Sequence, residues 1–126
     1  MEDVYLRLES FGEGGRQAYQ KFTYSGDAMF PLSFLLFLWL FAKFVAERTI
    51  SSKRTAHLLV MVPVCWFLVD ATENLIIYLL TLQYPARNDL LASVLGPVTQ
   101  TKFALLLAAL LVPTVLLVNL WRRGSR

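Results

Sequence analysis

With 126 residues, 56% hydrophobic and 17% charged, and a mean hydropathy of +0.53, the chain is too apolar for an ordinary water-soluble domain of its size. The net charge of +3 comes from basic residues gathered at helix ends rather than interleaved with aromatics, so no nucleic-acid partner is expected. A single cysteine, Cys65, excludes an internal disulfide, and its place in an apolar run predicts a small buried hydrophobe.

The opening MEDVYLRLESFGEGG is acidic and lacks both a basic n-region and an apolar h-region, so it reads neither as a cleavable secretory signal nor as an Arg-rich presequence. Gly12, Gly14 and Gly15 interrupt any continuous helix. After them, RQAYQKFTYSGD is expected to form an amphipathic helix that runs into the first span, making residues 1–27 an acidic, amphipathic leader.

Residues 28–46, AMFPLSFLLFLWLFAKFVA, cover about 28 Å as a helix, close to one hydrocarbon thickness of about 30 Å, and are read as the first transmembrane helix. Pro31 falls at the membrane entrance, where a helix start tolerates it. The aromatic residues Phe30, Phe34, Phe37, Trp39, Phe41 and Phe44 are expected all round this helix, facing lipid or a partner subunit. Few small residues recur at four-residue spacing, so close GxxxG-type self-association has no signal.

The second transmembrane helix is expected over about 57–82, with a kink at Pro63, followed by a turn at YPARND. LLASVL reads as a brief interfacial helix, ended by Gly96 and Pro97 before a third span over about 98–121. Trp121 and the arginines after it suit an interfacial anchor. The leader carries a net −2, the first connection +3, the second zero and the tail +3. The positive-inside rule then places the first connection and the C-terminus on the cytoplasmic or matrix side, and the N-terminus outside.

Three polar residues interrupt the second apolar segment almost at its midpoint: Asp70, Glu73 and Asn74 in VDATENLIIYLL. Their spacing places them on one stripe of a helix. Ionisable groups at bilayer depth cost about 2.5–3.5 kcal/mol each, so they face protein, water or one another. Lys102, expected about one turn into the third helix, reaches toward Glu73 along its flexible stem, and Asp27 approaches from the first helix on the same side.

Two readings of this constellation stand side by side. In one it is interhelical glue, with Thr72, Asn74, Thr99, Gln100 and Thr101 completing the hydrogen bonds. In the other, at least one carboxylate is protonated or exchangeable and serves proton transfer, acid catalysis or recognition of a polar or cationic ligand. No metal or cofactor is expected: a di-iron bundle needs repeated Glu-x-x-His elements, and the single histidine, His57, lies about 20 Å of helix from Asp70. There is no Gly-rich phosphate loop, nucleophile elbow or His-based zinc motif, and Ser33, Ser51, Ser52 and Ser93 lack a partner that would mark a nucleophile.

The order of pieces GEGGRQAY, GDAMFPL, DATEN, YP and TQTK, over roughly residues 10–105, resembles an uncharacterised group of small polytopic helical membrane proteins. In that group Asp precedes Phe-Pro-Leu, Asp-x-x-Glu-Asn lies in a transmembrane helix, and Thr-x-x-Lys opens the last helix. The resemblance implies that Asp27, Asp70, Glu73, Asn74 and Lys102 belong to one constellation; it carries no activity over. Members of the group have a further apolar helix before the leader, where this chain has a short acidic lead-in.

These readings add up to an all-α integral membrane helical bundle, with three transmembrane helices over residues 28–126 and an amphipathic N-terminal helix. The expected role is a non-catalytic accessory subunit or scaffold of a larger membrane complex. The lipid bilayer and other subunits, or a second copy, would be its partners. The alternative is an intramembrane acid site for proton transfer, or for isomerisation or binding of a hydrophobic, sterol-like ligand. A third reading is a lipid-binding regulator that uses the basic connection to contact anionic head groups.

Overall fold

The computed structural model describes residues 2–15, 17–18 and 29–124, the side chains of residues 2 and 3 excepted. Four helices form its frame: α1 (Glu2–Ser10), α2 (Met29–Thr49), α3 (Lys53–Gln83) and α4 (Asp89–Gly124). No strand occurs among the described residues. α2, α3 and α4, of 21, 31 and 36 residues, are each long and apolar enough to cross a membrane.

Short connections make α3 antiparallel to both α2 and α4, which run parallel to each other, and all three pairs touch. α2 ends where Thr49 Oγ1 and the Ile50 amide donate to the carbonyls of Val45 and Ala46, at 2.8 and 3.0 Å. Ser52 then caps α3, its hydroxyl accepting from the Thr55 amide. Asn88 does the same for α4: its side-chain oxygen accepts from the Leu91 amide at 3.2 Å, and its carbonyl from the Ala92 amide at 3.0 Å. The expected YPARND turn is the connection from the end of α3 at Gln83 to the Asn88-capped start of α4.

The core comes in three layers along the bundle. At the basic end, Ala42 and Ala46 of α2 pack on Leu59 of α3 and Leu116 of α4. In the middle, Leu38, Trp66 and Ala109 bring all three helices together. At the far end Tyr5 and Leu8 of α1 pack against Ile76, Leu80 and Ala92.

Several sequence expectations change in this frame. LLASVL is no separate interfacial helix, because α4 runs unbroken from Asp89 through Gly96 and Pro97. Both residues are exposed, while Leu91, Ala92, Leu95 and Val98 on the opposite side pack into the far layer, so tertiary contact overrides the local breaking signal. A helix that the sequence did not announce lies at Glu2–Ser10; the chain turns at Phe11 and Gly12, whose φ of +62° suits glycine, and residues 12–15 are helical again, so Gly14 and Gly15 sit within a helix instead of breaking it. Residues 17–18 of the expected amphipathic stretch are helical, and its remainder, Asp27 included, lies outside the described residues.

The aromatic residues of α2 are not spread evenly round the helix, although Trp39 does lie on the side away from the phenylalanines. Phe30, Phe34, Phe37 and Phe41 stack as a ladder, with ring centroids 5.8–6.1 Å apart. Their spacings of four, three and four residues return to nearly the same angle at 100° per residue, which is why one stripe holds them. Cys65 is exposed, not buried. It follows directly after Val64 and before Trp66, about 100° round the helix from the packed stripe. Ala42 and Ala46 supply the four-residue pair of small side chains missed in the sequence, and it seats α2 on Leu59 within this chain.

Besides its apolar packing, α1 is fastened to the α3–α4 connection through Tyr5: the Asn88 amide donates to the Tyr5 hydroxyl at 2.6 Å, and the Arg87 guanidinium lies 5.0 Å from the Tyr5 ring centroid. Tyr5→Phe removes the acceptor but keeps the ring. The expected loss is about 1 kcal/mol, confined to α1 docking and seen as faster hydrogen exchange at Asn88 with the melting of α2, α3 and α4 unchanged.

Candidate functional site

The buried positions of α3 are Leu59, Pro63, Trp66, Asp70, Glu73, Ile76 and Leu80, joined by Thr81. Steps of three and four residues keep the first seven on one face of the helix, and the two acids occupy core positions within it. A carboxylate on such a stripe must find its partners on the neighbouring helix. α4 provides them along its own inner line, through Val98, Thr99, Lys102, Leu105 and Leu106.

Lys102 Nζ lies 3.4 Å from Asp70 Oδ1 and is ion-paired with Glu73 Oε2. The side chains of Asp70, Glu73 and Lys102 are 12%, 7% and 19% exposed, so the triad is largely shut off from the surroundings. The Thr99 hydroxyl bridges Glu73 Oε1 and, at 2.9 Å, the Leu95 carbonyl; its single proton serves one of them at a time. Asn74 Nδ2 donates to Asp70 Oδ2 at 3.3 Å. Among the described residues, these are the only ion pairs.

Of the five residues singled out in the sequence, the structure brings Asp70, Glu73, Asn74 and Lys102 together; Asp27 lies outside the described residues. The expectation that Lys102 stretches inward from about one turn into its helix is not met. Because α4 begins at Asp89, Lys102 stands 13 residues along it, opposite Glu73, which is ten residues before the end of α3. The wider set of hydrogen-bonding residues is smaller than expected. Thr72 and Thr101 are exposed and return their hydroxyls to the carbonyls of Leu68 and Pro97 in their own helices, and Gln100 is exposed. Thr99 alone of that group crosses to α3.

One turn before Asp70, the Trp66 indole N–H is enclosed without an acceptor, its ring meeting Phe34 edge-on at 5.4 Å. No group of three or more His, Cys, Asp or Glu side chains assembles among the described residues. His57 lies instead at the basic end, beside a cavity of about 360 Å³.

Chemically, the cluster is two carboxylates sharing one ammonium. It can lock two helices in register, and its formal excess of one negative charge gives it a place to hold a proton or a cation. Comparison with family models, with curated proteins and with solved structures returns no match for this chain.

Proposed function

We propose that the chain is a multi-pass integral membrane protein acting as a non-catalytic accessory subunit or scaffold, in which Asp70, Glu73 and Lys102 fix the packing of α3 on α4. The observation that carries this reading is the closure of the cluster on itself: Lys102 joins both acids, while Thr99 and Asn74 take further carboxylate oxygens. Such a network aligns two helices at one register, because a slip of one turn separates the charges.

The depth of the cluster fits that role. From Lys53 to Glu73, and from Lys102 to Arg122, is 20 residues, or about 30 Å of helix. This matches one hydrocarbon thickness, measured from the end where Arg48, Lys53, Arg54, Arg122 and Arg123 gather. With those residues on the cytoplasmic or matrix side, the triad lies near the opposite boundary of the apolar slab, and α1 covers the hairpin beyond it with the N-terminus outside.

The broad outer surface, including Leu36, Leu40, Leu107, Leu111 and Val115, is apolar and faces lipid or other subunits. Purification of the full chain from its native membrane in mild detergent tests the scaffold role. A fixed stoichiometric set of partner subunits surviving size-exclusion chromatography is the expected result, and a lone monomer overturns it.

A second reading, an intramembrane acid site, is favoured by the count of two acids to one lysine. Glu73→Gln separates the two. Under both readings the variant loses the ion pair to Lys102 but keeps its hydrogen bond to Thr99, and melts with a loss of about 1–3 kcal/mol. As an acid site it also loses proton flux across proteoliposomes, whereas a scaffold has no flux for the change to remove.

A further inference from the structure

The cavity at the basic end lies between the last turns of α2, the connection over 50–52 and the first turns of α3. Its walls combine two kinds of surface. Trp39, Ile50 and Val60 give it an apolar side, and Lys43, Lys53 and His57 a basic one, with Glu47 the single acid. Neither lysine has an ion-pair partner among the described residues; the Lys43 ammonium rests 5.3 Å from the Trp39 ring centroid. The α3 N-terminus opens beside Lys53 and adds its positive end.

A volume of about 360 Å³ is enough for a small polar group with the start of a chain attached. Two lysines and one glutamate leave the lining at a formal +1 with His57 neutral, which complements a phosphodiester carrying one negative charge. The apolar wall asks for a ligand that is hydrocarbon on one side. We propose that this cavity is a binding site for the head group and glycerol of an anionic phospholipid, its phosphate held by Lys43 and Lys53 and its acyl chains leaving past Trp39 and Val60. The site is separate from the acidic cluster, Val60 of its wall lying ten residues, or about 15 Å of helix, before Asp70, and it rests on the reading of the chain as membrane-embedded.

Native mass spectrometry tests it, on the full chain released from mixed micelles holding equal amounts of phosphatidylglycerol and phosphatidylcholine with identical acyl chains. Phosphatidylglycerol should be retained over phosphatidylcholine by about tenfold. Lys43→Gln with Lys53→Gln should bring the ratio close to one; both residues are exposed, so the fold survives and circular dichroism verifies it. Arg122→Gln with Arg123→Gln, at the same end but outside the lining, should leave the preference in place.

Equal retention of the two lipids, a preference indifferent to the lysine pair, or its equal loss in the arginine pair overturns the proposal. Displacement of the lipid by glycerol phosphate at equal concentration assigns the cavity to soluble phosphate esters and overturns the lipid assignment. Recovery of the chain from the soluble fraction without detergent instead defeats the membrane reading, which keeps the two failures distinct.

Discussion

Lys102→Met is expected to destabilise the folded chain by about 3–5 kcal/mol, because it leaves two carboxylates on the packed stripe of α3 with no cation opposite them. The size of the effect comes from the groups left behind. Asp70 and Glu73 keep only Asn74 and Thr99, which satisfy oxygens but cannot neutralise charge. Unfolding of the detergent-solubilised chain, followed by circular dichroism, reads the loss. Combining Lys102→Met with Asp70→Asn and Glu73→Gln should return most of it, since a buried ionic group replaced as a whole by neutral residues is often close to neutral. If the single variant melts like the parent, the cluster does not hold α3 to α4. If the triple variant is as stable as the parent yet no longer retains its partner subunits, the charges serve register and assembly more than stability.

The elements that were legible in the sequence were those written in long-range composition. Three apolar stretches of spanning length, two basic groups two spans apart and an acid pair at helical spacing depend on nothing but the chain itself. The pairing of Glu73 with Lys102 was legible for the same reason: each acid in an apolar stretch needs a cation, and Lys102 was available in the adjoining span. What the sequence hid was decided by packing. Gly96 and Pro97 carry every local sign of a break, yet α4 passes through them because its opposite face is occupied by α1 and α3. The Tyr5 anchor was missed although Val4, Tyr5 and Leu8 already form a short apolar stripe in the acidic leader. The exposure of Cys65 likewise follows from the rotation of α3, which an apolar run does not disclose; counting in steps of three and four from Asp70 back to Trp66 and Pro63 would have found it.

Leu38→Ala probes the point where the three long helices meet. Leu38 is fully enclosed, against Trp66 of α3 and Ala109 of α4, so truncation leaves a cavity that no neighbour on a helical backbone can readily fill. In a water-soluble core the loss for such a change is about 2–5 kcal/mol, the sum of a transfer part and a cavity part. In a bilayer the transfer part falls away, because lipid tails are as apolar as leucine, and the remainder is lost packing; the expected value is then near the bottom of that range, about 2 kcal/mol. Leu40→Ala, two residues on and half exposed on the opposite side of α2, is the control, with an expected change within about 0.5 kcal/mol for the isolated chain. A loss at Leu40 equal to that at Leu38 would mean that α2 faces its neighbours differently. A loss at Leu40 that emerges only in the assembled complex would instead place a partner subunit on that face of α2, because the same methyl groups become costly to remove once something other than lipid packs against them.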